Sequence, residues 1–572
     1  VIKVGVFFGG FSHEREVSFN GGRNVCQYID RSIFEPVPVF VDSFGNFVEL
    51  NWELFKKNSI RDFYPQASTD SSKYQIYAES LGKLSADQQN HLIASIGKKI
   101  NAQDLAQRID FALIAMHGTY GEDGNLQGLL EWYGIPYSGS GVFGAALGID
   151  KALQNGLIAN VSGQDKKFIS FGKQEFLDNP EALFQKLQQN LGLPLVIKAP
   201  HQGSSIGVGI LKENELEKFI ELVYNSLFIR RIAQNFWKNL SADQKQNYLQ
   251  DLLELDKGLG MPVIFNEQLV FHPEDLAQKL DEFLAQNAQA ILTAVDGEEV
   301  ILVEEFIKGR EFTCAVIQKE DASAMALLPS EAQKATDALF DFNSKYKGLV
   351  KEVIVMEASQ EAIQKIRSEA ENIFEKLGFQ VYIRMDGFLS ENNKICFHDP
   401  NTIPGMSSAS FIFKQFAELG FLPTHTINYL IRTSLAQRLS GGKNRFKVGK
   451  LLKELDEKLA QKTYKDRFDL VFSDEKSYAE AKENMKTLAS KGTHQVRFLA
   501  KYQDGYKVFP TNLMFRDSFE EALAEWELDL SSYTIDLIGQ SADLIGKYVK
   551  YESLKKEVIG AEKVEKDAFL MS

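Results

Sequence analysis

Lys3-Val4-Gly5-Val6-Phe7-Phe8-Gly9-Gly10-Phe11-Ser12-His13-Glu14-Arg15-Glu16 sets a short apolar run against two glycines and then a cluster of polar and charged residues. Residues 3–8 predict a buried strand, the glycines a tight exit from it, and residues 12–28 a loop followed by a helix. Residues 37–41 read as a second strand. A third, over 111–116, runs into His117-Gly118 and Gly121-Glu122-Asp123-Gly124 before a helix over 125–133. Strands alternating with helices predict an α/β fold with a parallel sheet and ligand loops at the strand C-termini. Apolar residues followed at once by charge read as a first core strand, not as a signal peptide.

The whole chain has 572 residues, 44% hydrophobic and 25% charged, enough for several cores. A net charge of -14 disfavours nucleic-acid binding, which needs concentrated Lys and Arg. Cys26, Cys314 and Cys396 lie far apart, with no metal-ligand spacing, and read as buried thiols in a reducing compartment. No apolar run is long enough to span a bilayer, so a cytoplasmic protein without a membrane partner is expected.

Four domains are predicted. Residues 1–145 form the α/β unit, with a polar insertion at about 50–110. Residues 146–310 form a second unit, with an insertion at about 227–288. The middle of the chain has more of an α+β character, with a hairpin over 193–211 around His201-Gln202-Gly203-Ser204-Ser205-Ile206-Gly207. Residues 311–440 carry strands at 381–388 and 394–398 and close on two helices. Residues 441–572 form a small C-terminal α/β domain whose order resembles the opening of the chain: Asp469-Leu470-Val471-Phe472 answers Gly5-Val6-Phe7-Phe8, but Ser473-Asp474 replaces Gly9-Gly10. A degenerate copy and a chance likeness both stay open. Both insertions contain Leu-Ser-Ala-Asp-Gln, at Leu84 and Leu240, where the serine is a helix N-cap.

The loop after Lys198 offers backbone N–H groups and hydroxyls with little steric bulk, which suits a polyphosphate. Arg384-Met385-Asp386-Gly387 and Asp399-Pro400-Asn401 place two carboxylates and an amide on neighbouring strands, a hard oxygen set suited to Mg²⁺. Each residue taken alone also fits a structural role. Together with Pro404-Gly405-Met406 they point to ATP chemistry.

These residues resemble the D-alanine:D-alanine ligases of the ATP-grasp superfamily. The likeness runs through Phe8-Gly9-Gly10 and Ser12-His13-Glu14-Arg15-Glu16-Val17-Ser18, His117-Gly118, Gly121-Glu122-Asp123-Gly124 and Leu126-Gln127-Gly128. It continues through Tyr137-Ser138-Gly139-Ser140-Gly141, Asp150-Lys151, Phe340-Asp341-Phe342-Asn343-Ser344-Lys345-Tyr346 and Asn401-Thr402-Ile403-Pro404-Gly405-Met406. The resemblance implies an ATP-grasp fold preceded by a parallel-sheet N-terminal domain, and ligation of two D-alanines through an acyl phosphate for peptidoglycan precursor synthesis.

By that resemblance Glu14 holds the ammonium of the first D-amino acid, with His117 nearby. Ser204 and Tyr346 link Glu14 to a closing loop. Lys151, Lys198, Ser205 and Lys345 serve the phosphates, while Glu304, Glu305, Ile307 and Glu311 serve adenine and ribose. Asp386, Asp399 and Asn401 hold Mg²⁺, with Mn²⁺ as an alternative. Arg384 and the Gly405 backbone stabilise the reacting acyl group, and Ser410 lies near the second carboxylate. A homodimer is a family expectation. Asp399 stands where the family usually has Glu, and His398-Asp399-Pro400 is unusual. Ligation of another D-amino acid or dipeptide, and a nucleotide-binding scaffold, are the competing readings.

Overall fold

The computed structural model describes residues 1–64, 74–334, 350–407, 409–441, 444–464, 466–564 and 569–570. The opening stretch forms β1 (Ile2–Gly9), an interior strand of a five-stranded sheet with β2 (Phe34–Val41), β3 (Phe47–Leu50), β4 (Gly97–Ile100) and β5 (Phe111–Ile114). The order is β4-β3-β2-β1-β5. β1 runs parallel to β2 and β5, whereas β2-β3 and β3-β4 are antiparallel. The sheet is therefore mixed: only a short turn joins β2 to β3, and such a turn reverses the chain. Residues 50–110 return a strand, β4, to this sheet.

The next strands are β6 (Phe168–Gly172), β7 (Leu195–Lys198), β8 (Gly209–Leu211), β9 (Ile229–Ala233), β10 (Val263–Phe265), β11 (Gln268–Val270), β12 (Gln289–Ala294) and β13 (Val300–Glu305). They form two four-stranded sheets, β6-β13-β7-β8 and β11-β10-β12-β9. The second sheet arises within and just beyond residues 227–288, so this stretch is a folded module with its own core, around Trp237, Leu249, Leu276 and Leu292. Tyr74 packs into that core from the N-terminal unit, and Arg61 pairs with Glu254 at 3.0 Å, so the two insertions meet. Ser85 and Ser241 both cap helices, each in a reciprocal capping box with a glutamine three residues on.

β14 (Arg310–Gln318), β15 (Ala324–Ala326), β16 (Ser330–Lys334), β17 (Val350–Val353), β18 (Tyr382–Leu389) and β19 (Ile395–Asn401) build the fourth sheet, ordered β17-β16-β14-β18-β19 with β15 on β14. The fifth contains β20 (Asp466–Phe472), β21 (His494–Tyr502), β22 (Gly505–Phe509), β23 (Glu557–Gly560) and β24 (Phe569–Leu570), in the order β23-β22-β21-β20-β24. Four helices matter below: α1 (Arg15–Tyr28), α2 (Phe411–Ala417), α3 (Pro423–Gly441) and α4 (Glu475–Ser490). Every described residue of α2 except the first is buried or nearly so, and α3 is buried around most of its girth, as expected of helices between layers. Among the described residues no helix is long and apolar enough to cross a membrane.

Candidate active site

The first wall of the site follows from Gly9 and Gly10. Both have positive φ, and a Cβ on Gly9 would lie 2.5 Å from the Val41 carbonyl oxygen. The chain leaves β1 sharply and places Ser12, His13 and Glu14 in the loop before α1. Ser12 Oγ donates to the His117 carbonyl at 2.6 Å and accepts from the Glu14 N–H at 3.2 Å, which joins this loop to the one after β5. Glu14 is buried.

The second wall is the glycine-serine loop between β7 and β8. Ser204 and Ser205 sit at φ 51° and 60°, a left-handed conformation that non-glycine residues rarely adopt. This turn aims the Ser204 hydroxyl at Glu14 Oε1, 2.5 Å away. Gly203 lies against the same carboxylate, where a Cβ would come within 2.4 Å of Oε2. That Oε2 atom is buried with no hydrogen-bond partner among the described residues. A buried carboxylate oxygen left open is a demand for a donor, and an ammonium meets it.

The third wall comes from β18 and β19. Their register shifts between Arg384, opposite Asn401, and Asp386, opposite His398. Such a bulge leaves Asp399 and Pro400 out of step and re-aims the strand, with Asp399 at φ 52°. Pro at a bulge removes no ladder hydrogen bond. His398 is half-buried, with its ring nitrogens shielded from solvent, and stacks on Phe388 at 5.0 Å; loss of solvent first, then Lys198 and Lys166, push its pKa down to about 4, so it is neutral.

These walls enclose a cavity of 170 Å³. Glu14, His117 and Ser204 line one side, and Lys151, Arg384, Asp386, Asp399 and Asn401 another. Glu311, Gly405 and Ser410 complete the set from the sequence reading that reaches it. Lys151 Nζ lies 3.0 Å from Asp399 and donates to the Gln202 carbonyl at 2.8 Å. Burial works against the Asp399 charge, but Lys151 outweighs it, and the Asp399 pKa ends well below the carboxylate range. Arg384 forks onto Asp386, both bonds 3.2 Å. Cations and anions therefore neutralise each other here until a ligand exchanges with one partner.

Lys198, Ser205, Glu304, Glu305 and Ile307 do not line this cavity. Glu304 is buried between Lys166 and Lys198, 2.6 Å from each, and accepts from Asn155 at 2.6 Å. Despite burial, the two lysines hold its pKa well below the ordinary value. Glu305 accepts from the Lys167 N–H at 2.8 Å. Lys345 and Tyr346 lie outside the described residues. Among the described residues no cluster of three His, Cys, Asp or Glu side chains is arranged to hold a metal, so two carboxylates and an amide are what the protein itself offers.

The sequence reading passed over Glu122 and Glu352, which also line the cavity, and Lys166. Glu122 accepts from the Gly118 N–H at 2.8 Å; burial, then the neighbouring Glu14, raises its pKa well above the ordinary value. Its place in Gly121-Glu122-Asp123-Gly124 was the available signal.

Two family profiles match the chain: one described as "D-ala D-ala ligase N-terminus" over residues 3–140, and one described as "D-ala D-ala ligase C-terminus" over 157–226 and 282–432. A D-alanine--D-alanine ligase of Pelotomaculum thermopropionicum is 30% identical over 310 residues, covering 53% of this chain and 73% of that protein. The chain belongs to the D-alanine–D-alanine ligase family. A ligase of the same name from Clostridium beijerinckii is 25% identical over 434 residues, covering 76% of this chain and 99% of that protein. The solved D-alanine-D-alanine ligase of Coxiella burnetii aligns with TM-score 0.49 and 18% identity over 79% of this chain and 98% of its own. The VanG D-Ala:D-Ser ligase of Enterococcus faecalis aligns with TM-score 0.48 and 22% identity over 76% and 99%. The gap in the C-terminal match, 227–281, falls within the module built on β9 to β12.

Proposed function

We propose that this chain joins two D-alanines to D-alanyl-D-alanine at the expense of ATP, through an acyl phosphate, for peptidoglycan precursor synthesis. The observation that carries the reading is Glu14: one oxygen is held by Ser204 and the other is buried and open, within a cavity that also holds Lys151, Arg384, Asp386, Asp399 and Asn401. The ammonium of the first D-alanine on Glu14 leaves its carboxylate directed toward this charged wall.

A carboxylate is a poor electrophile. Its oxygen attacks the γ-phosphorus of ATP, the bond to the β-phosphate oxygen breaks, and ADP leaves. Lys151, released from Asp399, and Arg384, released from Asp386, offset charge on the transferring group. Mg²⁺, or Mn²⁺ with its similar taste for oxygen, fits Asp386, Asp399 and the Asn401 amide, and its chemistry there is to neutralise phosphate charge. The amine of the second D-alanine then attacks the acyl carbon, loses a proton and expels phosphate. Arg384 and the Gly405 backbone face that centre, with Ser410 toward the second carboxylate. Lys345 and Tyr346 belong to the same reading as residues that approach when water is excluded.

Phosphate release from MgATP with D-alanine, compared with L-alanine and with no amino acid, tests it. Release that depends on D-alanine, with the dipeptide as product, is expected. Release restored only by a different D-amino acid would replace D-alanine in the reading, and ATP binding without turnover of any amino acid would leave a scaffold.

A further inference from the structure

The first and last sheets have the same strand order and the same strand directions. β20 lies between β21 and β24 and runs parallel to both, while β21-β22 and β22-β23 are antiparallel, as are β2-β3 and β3-β4. The agreement continues between the strands. One helix, α1 or α4, follows the first strand of each unit. A 3₁₀ turn begins two residues after the third strand in both, at Trp52–Lys56 and Thr511–Phe515. The third and fourth strands are separated by residues 51–96 in one unit and 510–556 in the other, stretches of nearly equal length. A second 3₁₀ turn follows the fourth strand in both, at Ala102–Asp104 and Ala561–Lys563.

Among the described residues the connections between the third and fourth strands differ, with 3₁₀ turns at Ile60–Asp62 and Ala78–Leu81 and a helix at Ala86–Ile96 in the first unit against helices at Phe519–Trp526, Ser532–Gln540 and Ala542–Tyr548 in the last. A further difference falls where the first unit binds. Between β1 and α1 lie Gly10-Phe11-Ser12-His13-Glu14, whereas between β20 and α4 there are only Ser473 and Asp474. In the first unit the Gly9 N–H reaches Ser18 of the helix at 2.9 Å. In the last unit the Ser473 N–H reaches Ser477 of the helix at 3.0 Å, so the strand-to-helix tie remains while the loop is gone.

The equivalent helices also pack on one another and touch near their C-terminal ends. The Arg31 N–H after α1 donates to the Ser490 carbonyl at the end of α4 at 2.8 Å. Asp30, fully buried, pairs with Lys462 and accepts from Asn428 of α3 at 3.3 Å. This face of α1 is thus closed to a second chain.

The last unit also grips α2, whose N-terminal end carries Ser410 and Phe411 at the cavity. Glu418, just past α2, forms a buried pair with Arg516 at 2.9 Å and accepts from Asn512 at 3.1 Å. Lys414 on α2 is buried between Asp517, 3.6 Å away, and Glu352 of β17, which itself lines the cavity. Gln415 fixes the remaining face of α2 to β14 through the Ala315 N–H and the Thr313 carbonyl.

We propose that the C-terminal unit is a second copy of the N-terminal unit that has lost the substrate loop and now holds α2, so that Arg516 and Asp517 are positioning residues for the acceptor side of the pocket. The acceptor assignment rests on the ligase reading above. The hold on α2 does not.

Arg516→Ala and Asp517→Asn in the full chain test it with two readouts. Amide exchange over residues 411–417 should speed up about fivefold or more while exchange over β1 stays as it was. KM for the second D-alanine should rise about fivefold or more with KM for ATP changed less than about twofold. Where Arg516→Ala alone fails to fold, the double change Glu418→Leu with Arg516→Leu removes the grip and leaves no unpaired buried charge. Unchanged exchange over 411–417 in a folded variant overturns the proposal, as does an unchanged acceptor KM. Absence of D-alanine turnover in the unaltered chain counts against the ligase reading instead, and the exchange result then decides.

Discussion

Ser204 donates a 2.5 Å hydrogen bond to Glu14 Oε1, tying a loop of the β7-β8 hairpin to the loop after β1 across 190 residues of sequence. The bond leaves Oε2 as the open acceptor of the site. Replacing Glu14 by Ala removes a charge-assisted contact worth about 1.5–3 kcal/mol, so KM for the first D-alanine should rise about 10- to 100-fold. Isothermal titration with ATP should show its affinity nearly unchanged; loss of both would mean that Glu14 supports the fold and not the substrate.

Gly203→Ala places a methyl group against the Glu14 carboxylate, 2.4 Å from Oε2. Neither backbone nor buried acid yields cheaply, and kcat/KM for D-alanine should fall about tenfold or more from the misplacement. Steady-state kinetics check this, and an unaffected kcat/KM would show that the loop swings clear of Glu14 during turnover.

Glu304 sits between Lys166 and Lys198, with its pKa depressed far below the ordinary 4.5. A depressed acid contributes stability that is complete above its unfolded value and is lost as pH falls from there toward its folded value. Denaturant midpoints should therefore decline below about pH 4.5 in the unaltered protein. Glu304→Gln should show a weaker decline in that range and, at pH 7, a loss of about 3–5 kcal/mol from leaving one buried and one half-buried ammonium group close together. Equal acid slopes in the two proteins would contradict the assignment.

Asp399→Asn should raise the Mg²⁺ concentration for half-maximal phosphate release about tenfold or more, because it removes one of two carboxylates offered to the ion. Chelation of Mg²⁺ should stop turnover and its return restore it. A variant with unchanged Mg²⁺ dependence would assign Asp399 to Lys151 alone.

The motifs closed by neighbouring residues could be read directly. Gly9-Gly10, the 193–211 hairpin, and the strands bearing Arg384 and Asp399 depend on local backbone rules, which act within a few residues. The two capping serines, Ser85 and Ser241, belong to the same class. The four-stranded sheet of residues 229–294 did not show in the pattern, because β10 and β11 have three residues each and give too short a period to recognise. Nor did the roles of Glu122 and Lys166, whose meaning depends on Glu14 and Glu304, acids remote in sequence.

By itself the sequence determined the ligase motifs, the loop exits and the chemistry that Glu14, Arg384 and the acids can perform, since these follow from residue type and near neighbours. The family resemblance already implies that Ser204 meets Glu14, whereas tertiary structure alone decided that Lys198 answers Glu304 away from the cavity and that the last sheet repeats the first strand for strand. Side chains diverge freely while strand order does not: order is set by which buried backbones must pair, and that constraint outlasts the individual residues that satisfy it.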